Sequence, residues 1–463
     1  MDSKELRRFN ILTKPIFSLL VKTSIPTIVG MLISVIYNLT DTFFVGRLNN
    51  RAMIAAIGIV FSFVSIIQAI GFWFGYGSGN AMSKKIGEKN YREAEIISSI
   101  GIVIATITGI VIAIAARIFI VPLSNLIGGS ASEDVLAFTV QYLSIIIISV
   151  PFGLYSITVY NQLRLCGNVR DGMIGLLSGM LSNMVLDPVL MFVFKQGFIG
   201  AGYATLIGQI IGCIVLTLLA KRHESISFNL KKVQYSKERM YHILAGGMPN
   251  FSRQAITSAA LVLLNVKAAQ YGESMIAALT VSSRVAALAY MIMIGWGQGF
   301  QPICAMNYGA KQYSRVKKAF IITVSVGTIF LTAASIILFL FAEKCIGVMS
   351  GDNEVISAGI KILRMQCFSL PLLSFFAVSS MFMQNIGHYF SSLLISISRQ
   401  GFFYLPLLYI LPALYGKTGI YLLQPISDFL SFLFAVAVVY KRYSSGAFSS
   451  ALNAGQTKPL NAE

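Results

Sequence analysis

Between Ile16 and Tyr440 the chain alternates apolar stretches of more than twenty residues with short polar breaks, and no other feature narrows the fold as much. About twenty apolar residues in a helix cross the hydrocarbon of a bilayer. In that solvent every backbone N–H and C=O must be satisfied within the protein, and runs of this length do so as helices. The stretches fall at 16–45, 53–78, 95–119, 134–160, 169–194, 198–220, 240–268, 275–302, 317–342, 355–384, 390–414 and 417–440. Only 12% of the 463 residues are charged, about half the share of a soluble domain. The fold class is therefore an all-α membrane protein of twelve transmembrane helices.

The net charge of +18 has a membrane explanation rather than a nucleic-acid one. Twelve crossings place both termini on one face. With residues near the helix ends counted to the adjoining loops, 23 of the 36 Lys and Arg residues lie in the termini and the loops of that face, eight in the opposite loops and five deeper within helices. The positive-inside rule makes the basic face cytoplasmic. The polar run KRHESISFNLKKVQYSKER, residues 221–239, reads as a cytoplasmic linker between a first lobe at 1–220 and a second at 240–442, with a polar tail at 443–463. No GxxxxGK run offers a phosphate cradle, which argues against direct use of ATP. The five cysteines are scattered without CxxC spacing, so neither a metal site nor any other cofactor is expected.

The two lobes repeat one another. MIAAIGIV from Met53 matches MIAALTVS from Met275, and IGEKNYRE from Ile86 matches YGAKQYSR from Tyr308, both 222 residues on. SIP at Ser24 matches GMP at Gly247, SVPFGLY at Ser149 matches SLPLLSF at Ser369, and Gly167 matches Gly387. Parallel repeats of this kind characterise transporters, with the substrate cavity expected between them. Matched prolines, Pro26 with Pro249 among them, each remove one helical hydrogen bond. They read either as static kinks or as hinges that bend as access alternates.

Acidic side chains within apolar helices point to the chemistry. A carboxylate at the middle of a membrane helix costs about 2.5–3.5 kcal/mol even on lenient scales. The first helix carries Asp41. The fifth carries Asn183 and Asp187 at i,i+4, which puts both on one face. Counted at the helical rise, Asp41, Asp187, Thr205 and Tyr142 all lie roughly 6–12 Å below the outer surface. Two carboxylates close together in low dielectric do not both stay charged cheaply: one binds a proton, or the pair holds a cation. Asp41, Asn183, Asp187, Thr205 and Tyr142 are therefore the expected coupling site for H⁺ or Na⁺. The second half lacks these groups. Asp41 maps near Leu263 and Leu264, Asn183 and Asp187 map to 401–405, and Thr205 maps near Leu423. That half instead carries Arg253, Arg284, Arg364 and Arg399 within helices, with Asp428. Arg399 and Asp428 read as a structural network, and Tyr37, Asn38, Met291, Met293 and Arg253 as substrate-cavity candidates.

Taken together, DTFFVG, NMVLDP, GYATLIGQ, GMPNFSRQ and QPICAMNYGAKQYSRV resemble the multidrug and toxic compound extrusion (MATE) family over nearly the whole chain. The resemblance implies two six-helix lobes in a V, and export of organic cations and amphipathic drugs in exchange for H⁺ or Na⁺. Asp41, Asn183, Asp187, Thr205 and Tyr142 match the first-lobe ion site of archaeal and DinF-like bacterial members, whereas GMPNFSRQ resembles the MepA-type bacterial branch. The expected protein is not an enzyme. It is a multi-pass monomer of the bacterial inner membrane, with small-molecule drugs and membrane lipids as partners and no nucleic acid. A flippase for lipid-linked saccharides or peptidoglycan precursors is the alternative: the in-helix arginines suit a pyrophosphate, and the first-lobe acids oppose it. A non-transporting receptor or scaffold fits the duplicated halves poorly.

Overall fold

The computed structural model describes residues 3–47, 50–222 and 233–444, and for residues 3, 4, 38, 39, 41, 42, 45 and 131 the backbone alone. Most of the expected linker and nearly all of the polar tail lie outside the described residues. Every regular element among the described residues is helical. In order they are α1 (Ser3–Thr13), α2 (Ile16–Gly46), α3 (Arg51–Gly87), α4 (Tyr91–Ile118), α5 (Ile120–Leu126), α6 (Glu133–Leu165), α7 (Val169–Pro188), α8 (Gly197–Lys221) and α9 (Lys237–Ala269). The series continues with α10 (Glu273–Gly309), α11 (Tyr313–Leu340), α12 (Ala342–Gly347), α13 (Asn353–Ser369), α14 (Leu372–Asn385), α15 (Tyr389–Ile397), α16 (Tyr404–Tyr415) and α17 (Lys417–Ser444). π-helical segments at Val189–Val193 and Ser398–Phe403 continue α7 and join α15 to α16.

Ten helical runs are long and apolar enough to cross a membrane, with α15 and α16 counted as one through their π segment, and α13 with α14, bent by 55°, make an eleventh span. The twelfth expected crossing is α9, which has 33 residues but carries Asn250, Ser252, Arg253 and Gln254 within five positions. The twelve expected crossings thus map onto the observed helices. Some are longer than expected: α3 continues past Ser78 to Gly87, and its polar extension is accommodated because Ser78, Asn80 and Ser83 are buried inside the bundle.

Helix starts follow local chemistry. The Asn50 side chain accepts from the Ala52 and Met53 amides at 2.9 and 3.3 Å, and Ser132 caps α6 by accepting from Val135 N–H at 3.2 Å. Each satisfies amides that have no partner within the helix. The repeat extends to the turns: Lys89 and Lys311 both have left-handed backbones (φ 61° and 60°), and so do Gly167 and Gly387 (φ 83° and 89°).

The chain divides into two compact units, residues 1–9 with 29–247 and residues 10–28 with 248–463. In unit 1, α3 lies along α6, and α6 also packs on α4 and α8. Gly71 and Gly75 permit the α3–α6 approach: a Cβ on either would stand 3.0 Å from Ile157 or Asn161. Small residues one turn apart let membrane helices pack backbone to backbone. Ser98 Oγ donates to Gln162 Oε1 at 2.8 Å and Gln162 Nε2 donates to Ser78 Oγ at 2.9 Å, which joins three helices at a buried polar point. In unit 2, α10 packs on α11, α13 and α14, and α17 on α13, α14 and α16, around Leu20, Phe300, Leu331, Leu363 and Val378.

The units differ from the expected lobe boundaries at two places, and hydrogen bonds give the reason. The first half of α2 belongs to unit 2. There Thr23, Ser24 and Thr27 donate to the carbonyls of Gly299, Trp296 and Gly295 on α10 at 2.9, 3.0 and 2.6 Å. The first turns of α9 belong to unit 1. There Arg239 grips Glu93 with two hydrogen bonds of 2.6 and 2.9 Å, and Trp73 Nε1 donates to Leu244 O at 2.7 Å. The chain passes between units inside α1, after Phe9, inside α2, after Ile28, and inside α9, after Gly247, the last two within three residues of Pro26 and Pro249.

Candidate ion and substrate sites

The acidic site of unit 1 is built on α7 and α8. Asn183 and Asp187 are 2% and 0% exposed and lie one helical turn apart. Asn183 Nδ2 faces Asp187 Oδ2 at 3.2 Å, while its Oδ1 accepts from the Thr205 backbone N–H at 2.9 Å and lies 3.2 Å from Thr205 Oγ1, in the amide orientation that satisfies both sides. The Thr205 hydroxyl also reaches Ala201 O at 3.1 Å, so its single proton is shared between two acceptors. The α7–α8 approach depends on glycine. A Cβ on Gly208 would sit 2.8 Å from Gly179 O and 3.0 Å from Asn183 Cβ. Pro188 follows Asp187 and lacks an amide proton, and the backbone continues as the π segment, where Phe194 N–H bonds to Val189 O at 2.9 Å.

Tyr142 on α6 is 4% exposed, with its ring 5.2 Å from that of Phe198. It belongs to an apolar cluster with Met191, one turn beyond Asp187, and Ala201, one turn before Thr205. The side chains of Asn38 and Asp41 lie outside the described residues, but the register of α2 on α7 is defined. Ser34 Oγ lies 3.7 Å from Met180 Sδ, and the rings of Phe44 and Phe192 are 6.3 Å apart. Those two pairings bracket Asp41 on one helix and Asp187 on the other, so the two backbones stand at the same level. Tyr37 is half-buried on α2.

Unit 2 has its own buried polar centre. Arg399, second residue of its π segment, donates through Nε to Asp428 Oδ1 at 2.6 Å and through Nη2 to Oδ2 at 3.4 Å. Gln424 Nε2 donates to Oδ1 at 2.6 Å and Ser369 Oγ to Oδ2 at 2.9 Å. Ser427 Oγ holds the Arg399 carbonyl at 2.5 Å, and the Tyr290 ring lies 5.1 Å from the guanidinium carbon. Gln424, one turn before Asp428, was visible in QPISD as a same-face neighbour; Ser369, on a distant helix, carried no such signal.

The remaining candidates scatter. Met293 is 1% exposed in the core of unit 2, whereas Met291 is 37% exposed. Arg253 is half-buried on α9 and has no carboxylate partner among the described residues. Arg364 turns outward, with its guanidinium 5.2 Å above the Phe339 ring.

One family model, described as MatE, matches the chain twice, over residues 26–189 and 249–410. The chain belongs to the MatE family. The two matches start at Pro26 and Pro249, the same point of each repeat. The chain is 28% identical over 426 residues to the multidrug export protein MepA of Staphylococcus haemolyticus, covering 92% of this chain and 93% of that protein. MepA of Staphylococcus aureus is 28% identical over 428 residues, covering 92% and 94%. A crystal structure of MATE in the bent conformation superposes with a TM-score of 0.89 at 22% identity, over 99% of this chain and all of the other. The all-helical MATE fold of a multi-pass membrane protein follows.

Proposed function

We propose that this MatE-family chain is a secondary active transporter that exports amphipathic organic cations and drugs from the bacterial cell by antiport with H⁺ or Na⁺. The observation that carries the reading is the fully buried Asp187 carboxylate beside the Asn183 amide and the Thr205 hydroxyl, at the level of the Asp41 backbone on α2. A carboxylate withdrawn from water is expensive until a proton or cation neutralises it. Carboxylate, amide and hydroxyl oxygens also form the donor set of a hard cation. Asp41, Asp187 and Asn183 bind the coupling ion, Thr205 completes the oxygen set and Tyr142, beside Met191 and Ala201, flanks the site. Ion binding and drug binding favour different access states, which is the condition for exchange. Pro26 and Pro249 serve as hinges. The transporter works as a monomer among lipids of the inner membrane, with both termini cytoplasmic.

The MepA names support drugs as the substrate class. A flippase would need a basic centre for a pyrophosphate, but the Arg399 charge is already matched by Asp428. The test is uptake of a cationic dye into proteoliposomes, first under an imposed pH gradient and then under a Na⁺ gradient. One gradient is expected to drive accumulation. Accumulation indifferent to both, with flipping of a lipid-linked saccharide in the same vesicles, would replace this reading with the other.

A further inference from the structure

The polar centre of unit 2 contains one acid and one base, and they are not equally occupied. Asp428 is 2% exposed and accepts four hydrogen bonds, from Arg399 Nε and Nη2, Gln424 and Ser369. A carboxylate has about four lone-pair sites, so it has no room for an incoming cation. Arg399 differs. A guanidinium carries five N–H donors in a planar fork, and Asp428 takes the edge formed by Nε and one Nη2 proton. The end-on edge, both Nη1 protons and the second Nη2 proton, has no partner among the described residues, and the side chain keeps 18% of its exposure. The group is also held still. The paired carboxylate fixes one edge, the Tyr290 ring lies against the guanidinium, and Ser427 holds the backbone carbonyl. The arginine sits in a π-helical turn, a local irregularity that recurs at functional sites.

We propose that the free edge of Arg399 binds the carboxylate of zwitterionic substrates. The inference rests on the export reading and adds to its cationic substrates amphipathic compounds that carry one carboxylate besides their cationic group. The fork geometry selects a planar carboxylate, which can accept two parallel N–H bonds. The charge selects against polyanions: Asp428 already neutralises the guanidinium, so the site offers directed donors with no net positive charge. An apolar surround strengthens such bonds because water competes less.

The test uses the full chain in nanodiscs and two dyes differing in one group, rhodamine B with its free carboxylate and the ethyl ester of rhodamine B, with binding read by fluorescence polarisation. The variant is Arg399→Gln/Asp428→Asn, which removes both charges together and leaves no unpaired ion; Arg399→Lys keeps the charge but loses the fork. Losing a charge-assisted hydrogen bond corresponds to about tenfold or more in affinity. Rhodamine B is therefore expected to bind the double variant about tenfold or more weakly, with Arg399→Lys weakened in the same direction, while the ester stays within about twofold for all proteins. Equal weakening of both dyes, or unchanged rhodamine B binding in the double variant, would overturn the inference and leave export standing. The same holds if the unaltered protein binds the ester and not rhodamine B. Failure of the unaltered protein to bind either dye would overturn the export reading, and the inference with it.

Discussion

Removing both partners of the Arg399–Asp428 pair should destabilise the protein far less than the two single removals added together. Truncating one side of a fully buried pair costs about 3–5 kcal/mol, because the other charge is left without compensation. Asp428 is 2% exposed and Arg399 18%, so the two single changes are not equivalent. Arg399→Gln strands the carboxylate with only the Gln424 amide and the Ser369 hydroxyl, and should cost about 3 kcal/mol. Asp428→Asn strands a guanidinium that is less deeply buried than the carboxylate, and should cost about 2 kcal/mol. In the double variant two neutral amides retain hydrogen bonds to Gln424 and Ser369, and the loss should be about 2 kcal/mol, of the size of one or two net hydrogen bonds. The double variant then falls short of the summed single effects by about 3 kcal/mol, at the upper end of coupling between residues in contact. Reversible unfolding of the four proteins in mixed micelles measures the cycle. Additivity within about 0.5 kcal/mol would show that the two side chains do not stabilise unit 2 through each other.

Two further outcomes follow from the backbone. Gly208→Ala places a methyl 2.8 Å from Gly179 O and 3.0 Å from Asn183 Cβ, so α7 and α8 must separate; dye transport by purified protein is expected to fall severalfold with little change in membrane yield, and normal transport would contradict the close-packing account of the site. Lys311, at φ 60°, and Gly387, at φ 89° with open space around it, should respond in opposite senses: Lys311→Gly is expected to raise thermal stability by up to about 1 kcal/mol and Gly387→Ala to lower it by about 1–2 kcal/mol, both read by thermal unfolding.

The crossings were legible because hydrocarbon forces every span to be long, apolar and helical, and the repeat was legible as matched segments, to which the structure adds matched left-handed backbones at Lys89 and Lys311. The spacing of Asn183 and Asp187 predicted a shared face, and α7 puts both there beside Thr205. Exchange between the units was not legible. It depends on hydroxyls of α2 reaching carbonyls of α10 more than 260 residues away, and any serine or threonine in a helix also bonds to its own preceding turn, so its sequence looks the same in either role. Arg399 and Asp428 were recognisable as charges needing partners. The asymmetry between a saturated carboxylate and a half-used guanidinium depends on Gln424, one turn before Asp428 on α17, and on Ser369 and Tyr290, which converge from α13 and α10. Met293, proposed from composition for the substrate cavity, fills the core of unit 2 instead of an open surface, as methionine's flexible thioether commonly does.

The claim beneath the whole account is that drug binding expels an ion held at Asp187. It is tested by adding a cationic dye to purified protein in weakly buffered detergent while following pH and, separately, free Na⁺. The unaltered protein should release one of the two ions as the dye binds, and Asp187→Asn should bind the dye with no release. Equal release from the variant, or no release of either ion from the unaltered protein, would contradict it.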